Sequence, residues 1–150
     1  SRIMNKLKIV EISDSCKDQK IEIPAFIDKV SAGFPSPASD YIECKLDLNE
    51  HLISHPAATF IVRANGASME DSSIHSGDLL IVDKSIIPKN NSIVIASVFG
   101  DLTVKLLKKK HNAMFLVSNS GNYPSFEVKE EMDCFIWGVV TYVIHSTIAK

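Results

Sequence analysis

The 150-residue chain has little of what would tie it to metals, disulfides or membranes. Its three cysteines, Cys16, Cys44 and Cys134, are odd in number and form neither a CxxC pair nor a Cys/His cluster. A closed disulfide framework and a zinc site are therefore not expected, and this usage suits a reducing cytoplasm. The longest apolar run, Cys134 to Ile144, covers 11 residues and is broken by Gly138 and Thr141, whereas a spanning helix needs about 20. Residues 1–14 alternate polar and apolar with no stretch of signal-peptide type, so no membrane partner is expected. A basic excess is missing too: 16 Lys and Arg stand against 18 Asp and Glu, for a net charge of −2. Affinity for phosphate backbones comes from clustered cations, so direct nucleic-acid binding is not expected. There is no GxxxxGK[ST], no GxGxxG after a strand, no HExxH and no acidic calcium loop, which leaves no expected cofactor or metal. The five histidines, His51, His55, His75, His111 and His145, are scattered and read as surface or cap residues.

What is present is a chain with 45% hydrophobic residues, long enough for one domain with a real core. Met4 would be a natural initiator, so Ser1, Arg2 and Ile3 read as a cloning scar. The composition changes near residue 33. Before it, Leu7–Val10 and Ile21–Ile23 are strand-like pieces separated by the polar stretch Ser13–Lys20, and cannot build a core alone. Gly33-Phe34-Pro35-Ser36-Pro37 then favours an extended or turning backbone. The expected organisation is an N-terminal arm over residues 1–32 and a β-rich domain over residues 33–150. Within the domain, Asp47-Leu48-Asn49-Glu50 resembles a capping box, predicting a short helix that ends before Pro56. Strands are expected at Thr59–Ala64, Leu79–Val82, Ile93–Val98, Leu102–Leu107, Met114–Val117 and Phe135–Ile144, with a hairpin turn at Phe99-Gly100-Asp101. Phe135–Ile144 is apolar on both faces, which suits either a buried central strand or a dimer contact.

Two residues stand out chemically. Strand parity puts Leu102, Val104 and Leu106 on one face and Thr103, Lys105 and Leu107 on the other, so Lys105 interrupts an apolar strand. It is either a solvated residue on a polar face or a buried amine. Ser68 follows Asn65-Gly66-Ala67 at the end of a strand, where a hydroxyl is accessible and neighbouring N–H groups can meet a developing oxyanion. Serine after a turn is commonplace, so by itself Ser68 also fits an ordinary loop residue. Lys108-Lys109-Lys110 reads as a solvated hairpin end, and Met69 as local packing.

Three ordered segments, Gly66-Ala67-Ser68-Met69, Ser76-Gly77-Asp78-Leu79-Leu80-Ile81-Val82-Asp83 and Thr103-Val104-Lys105, resemble the self-cleaving Ser-Lys peptidase family of LexA, the phage repressors and UmuD. The 37-residue interval from Ser68 to Lys105 is that family's spacing. Ala32-Gly33 is an Ala-Gly pair of the kind it cleaves, and Gly33 lies 35 residues before Ser68, as in the family. Gly33 to Glu43 and Asp47-Leu48-Asn49 are most similar to the UmuD branch, with likeness running from about Gly33 through Val143. Ala32 stands where the best-known member of that branch has cysteine, although alanine is usual in the repressors; the resemblance implies cleavage but not its rate.

The resemblance implies a mainly β fold of twisted, partly antiparallel sheets with one short helix, preceded by an extended arm. It implies that Ser68 and Lys105 are the catalytic dyad, that the backbone N–H groups of Ala67 and Ser68 form the oxyanion site, and that Ala32-Gly33 is the cleaved bond. It also implies a homodimer, a RecA filament on single-stranded DNA as trigger, and a UmuC-type translesion polymerase subunit as partner of the processed form. Three rivals remain. A LexA-like repressor needs a DNA-binding domain, and residues before Gly33 lack helix-turn-helix patterning. A signal peptidase needs a membrane anchor. A β-rich interaction module would use Ser68 and Lys105 only as turn and surface residues. A free lysine, with pKa near 10.4, is neutral in only about 1 in 2,500 molecules at pH 7, so a lysine base must be desolvated.

Overall fold

Apolar residues recur at alternate positions through the second half of the chain, and the computed structural model forms strands there. It describes residues 8–10, 20–26, 43–66, 69–118 and 125–148. The strands are β1 (Lys8–Val10), β2 (Ile23–Phe26), β3 (Glu43–Leu46), β4 (Thr59–Arg63), β5 (Leu79–Asp83), β6 (Ile93–Val98), β7 (Asp101–Lys110), β8 (Ala113–Val117), β9 (Phe126–Val128) and β10 (Cys134–Ile144); the helix α1 is Leu48–Leu52. The chain divides into two compact units, Ser13–Ser54 and Ser1–Ile12 with His55–Lys150.

The smaller unit holds an antiparallel β2–β3 pair followed by α1. Asp47 caps the helix as its sequence implies, accepting the Asn49 N–H at 2.9 Å. The helix ends at Leu52, ahead of Pro56. Lys20 Nζ lies 3.5 Å from a Glu22 carboxylate oxygen and 3.6 Å from one of Glu50. β2 begins at Ile23 rather than ending there and includes Pro24. A two-stranded ribbon tolerates that proline because each of its strands has a free edge. β3 was not expected from the sequence.

The larger unit carries an eight-stranded sheet in the order β1-β4-β5-β10-β6-β7-β8-β9, and every neighbouring pair in it is antiparallel. The six strands expected in this region all form, and Phe99 and Gly100 make the β6–β7 turn with φ of 49° and 85°. Parity then divides the apolar residues between two cores. Val62, Leu80, Val82, Ile95 and Val104 pack with Met69 and Ile74 in one, and Val94, Ala96, Val98, Leu107, Leu116 and Val139 form the other. β6 and β7 contribute alternate residues to each, which explains why almost all of β6 is buried.

β10 is the central strand between β5 and β6, so the central-strand reading accounts for its apolar middle. Its ends are open: Phe135, Tyr142, Val143 and Ile144 are exposed. Two carboxylates hold the ends of β5. Asp78 accepts the His75 N–H at 2.9 Å and meets His145 Nδ1 at 2.6 Å, and Asp83 meets His55 Nδ1 at 2.6 Å and accepts both the Ser85 N–H and its hydroxyl. The five histidines are all exposed, as expected, yet two of them clamp buried acids.

β10 shifts register between Ile136 and Gly138, and there it approaches β5 closely. A Cβ on Gly138 would sit 2.6 Å from Val82 Cγ1, a fully buried methyl. Gly138→Ala should therefore destabilise the fold by about 1–3 kcal/mol. Adding Val82→Ala should make the two losses clearly less than additive, because it removes the clashing atom. Thermal melts of both single variants and the double variant check this; strictly additive losses would refute the clash.

Candidate active site

The site is built on β7, a ten-residue strand paired along one edge with β6 and along the other with β8. Leu102, Val104 and Leu106 lie against the first core. Thr103, Lys105 and Leu107 take the opposite face, with Thr103 directly across from Ala96 and Lys105 from Val94. Lys105 is only 2% exposed. The solvated-face reading of this lysine is therefore wrong: the second core, assembled from β6, β8 and β10, covers that face.

Lys105 Nζ donates to Ser118 Oγ at 2.5 Å. Among the described residues no carboxylate pairs with it, and burial alone pushes its pKa below the usual lysine range. An amine so placed favours its neutral form, which has a lone pair able to accept a proton. Thr103, fully buried on the same face, has a hydroxyl with no hydrogen-bond partner among the described residues.

Ala67 and Ser68 lie outside the described residues, as do Ala32 and Gly33. The described residues on both sides of Ala67-Ser68 are well anchored. Ala64 N–H donates to the Asp78 carbonyl and Gly77 N–H to the Ala64 carbonyl, each at 2.8 Å. Gly66 turns with φ of 99°, and its N–H reaches Ser76 Oγ at 3.3 Å. Met69 is buried in the first core, which agrees with its reading as packing, and leads into a single 3-10 turn at Glu70–Ser72. Lys108, Lys109 and Lys110 are exposed at the β7–β8 hairpin end as expected.

Ser118 was not singled out from the sequence. The available signal was hairpin register: Lys110 pairs with Ala113 and Leu106 with Val117, so one further step puts Ser118 opposite Lys105.

Comparison with known proteins supplies the class. Residues 24–141 match the family model described as Peptidase S24-like. Protein ImpA of Escherichia coli is 46% identical over 136 residues, covering 90% of this chain and 92% of that protein. Protein SamA of Salmonella typhimurium is 49% identical over 124 residues, with 83% and 86% covered. The LexA repressor of Pectobacterium carotovorum is 33% identical over 131 residues, 87% of this chain but 64% of the repressor. The chain thus belongs to the S24-like peptidases, and within them to the LexA/UmuD family, on its UmuD side.

A buried amine without a counter-charge costs stability. Lys105 has a folded pKa below its ordinary 10.5, so between those values the unfolded chain holds a proton that the folded chain does not. Stability must rise with pH across that window. Lys105→Met should raise Tm at neutral pH, by roughly 2–4 °C for each kcal/mol recovered. The gain should shrink as pH approaches 10.5. Melting curves of both proteins over this range test the sign, and a gain independent of pH would refute it.

Proposed function

We propose that this chain is a self-cleaving serine peptidase of the UmuD type, with Ser68 as nucleophile and Lys105 as general base. The observation that carries the reading is Lys105 itself: an amine 2% exposed, with burial favouring its neutral form, in a chain of a peptidase family. The ordered spacing of Ala32-Gly33, Ser68 and Lys105 supports the other assignments.

In the proposed reaction, neutral Lys105 takes the Ser68 hydroxyl proton as Oγ attacks the Ala32 carbonyl carbon. The N–H groups of Ser68 and Ala67 hold the oxyanion. Lys105 then gives its proton to the Gly33 nitrogen as the Ala32–Gly33 bond breaks. This leaves an ester between Ser68 and Ala32, which water hydrolyses to free the serine and a carboxylate. The products are an arm of residues 1–32 and a domain of residues 33–150. By family membership, a RecA filament on single-stranded DNA stimulates the cut, and the processed homodimer works in the cytoplasm with a UmuC-type subunit of an error-prone translesion polymerase.

Incubating the full chain at alkaline pH and weighing the products tests the chemistry. The wild type should yield a fragment starting at Gly33, faster as pH rises until Lys105 is fully neutral. Ser68→Ala and Lys105→Ala should yield none. The same fragment at the wild-type rate from either variant would overturn the dyad.

A further inference from the structure

Ser118 is the residue immediately after β8, 7% exposed, and Lys105 Nζ donates a hydrogen bond to its Oγ. We propose that Ser118 is a positioning residue for the peptidase base, holding the Lys105 amine in the orientation from which it takes and returns a proton. This deepens the peptidase reading above and rests on it.

A neutral primary amine has two N–H donors and one lone pair, and rotation about Cε–Nζ sweeps the lone pair through a full circle. Committing one N–H to a fixed acceptor leaves few orientations for the lone pair, a gain in preorganisation. Ser118 can act as that fixed acceptor because hairpin pairing of β7 with β8 sets it opposite Lys105. The chemistry of the acceptor also matters. A carboxylate in its place would stabilise the ammonium strongly and keep the lysine protonated at neutral pH. A hydroxyl accepts the hydrogen bond without a net charge, so it adds no counter-ion to oppose the downward shift that burial imposes on the amine. It still meets the ammonium that forms in the reaction, with no reorganisation at that moment. Thr103 makes the contrast plain: its buried hydroxyl lies two residues along the same face and has no hydrogen-bond partner among the described residues, so burial on this face does not by itself produce the contact.

The elements packed on this face bring Val94, Ala96 and Val98 from β6, Leu116 from β8, Phe126 and Val128 from β9, and Val139 and Cys134 from β10. Of these only Cys134 titrates, and it pairs with Val98, away from the Val94 position opposite Lys105.

The test is the pH profile of self-cleavage in the full chain, followed by mass, for wild type, Ser118→Ala, Ser118→Thr and Ser118→Asp, with circular dichroism melts of each. Ser118→Ala should cleave ~10–100-fold more slowly. Its profile midpoint should move to lower pH, because the ammonium has lost an acceptor. Ser118→Thr should recover most of the rate. Ser118→Asp should move the midpoint the other way, to higher pH, with cleavage returning in alkali. A wild-type rate and midpoint in Ser118→Ala would overturn the proposal. So would a slower rate with an unmoved midpoint and a lowered Tm, the mark of a purely structural serine. A midpoint shift that vanishes in a Cys134→Ser background would overturn it as well. Lys105→Ala separates the two levels: if it cleaves like wild type, the base assignment fails, whereas its silence beside an unaffected Ser118→Ala defeats only the positioning role.

Discussion

An amine enclosed on an apolar sheet face, with a hydroxyl as its polar contact, is the constraint around which the larger unit is arranged. Water must be kept from Lys105 on every side, and a single sheet edge cannot do that. β7 is therefore an interior strand, backed by β6 and β8 in the sheet and by residues of β10 in the second core. The penalty for desolvating the amine falls on the whole fold. Two cores that share β6 and β7 offset it, because almost all of β6 and the middle of β7, Leu102 to Leu107, are buried or half-buried against one or the other.

Charge is handled in the opposite way at the ends of β5. Asp78 and Asp83 are buried, but each meets an exposed histidine and a backbone N–H. For Asp83, burial raises the carboxyl pKa, yet hydrogen bonds from Ser85 and His55 outweigh that effect and leave it below the ordinary 3.8. A depressed carboxylate contributes stability above its ordinary pKa and loses it only as pH falls through the folded value. The same protein thus buries acids that are satisfied and an amine that has no counter-charge among the described residues. The first arrangement ties loops to strands: His55 precedes β4 and His145 follows β10. The second is the arrangement that the proposed general base requires.

The strands were legible because their alternation is strong and local, and the helix because Asp47 and Glu50 announce its first turn. Parity correctly set Lys105 on the face shared by Thr103 and Leu107. What parity could not supply was the cover on that face. Leu116 comes from the neighbouring hairpin strand, but Val139 is distant in sequence, and only the pairing order β10-β6-β7-β8 brings both to that face. The same reason hid Ser118, whose significance lies in register rather than in any local motif. β3 and β9, of four and three residues, are too short for alternation to be distinctive. The candidate nucleophile and cleavage site were read from motif and spacing, a kind of information that does not depend on packing.

The edge of the sheet gives the proposed cut a mechanical meaning. β1, residues 8–10, lies before Ala32-Gly33 and, among the described strands, pairs only with β4, through Lys8–Arg63, Ile9–Val62 and Val10–Ile61. A three-residue edge strand is shorter than usual and forms few ladder hydrogen bonds. While the chain is intact, the effective concentration of β1 at that edge is set by its covalent tether, and its pairing is an intramolecular event. Cleavage after Ala32 would remove the tether and leave pairing as the main bond between β1 and the sheet. β4 would then become an edge strand whose outward N–H and C=O groups seek partners. β4 also leads directly into Asn65-Gly66 and the Ser68 loop, with Val62 and Ala64 buried in the first core. The same strand therefore joins the arm that the proposed cut would remove to the loop that carries the proposed nucleophile, and the change such a cut would make falls on the edge of the sheet itself.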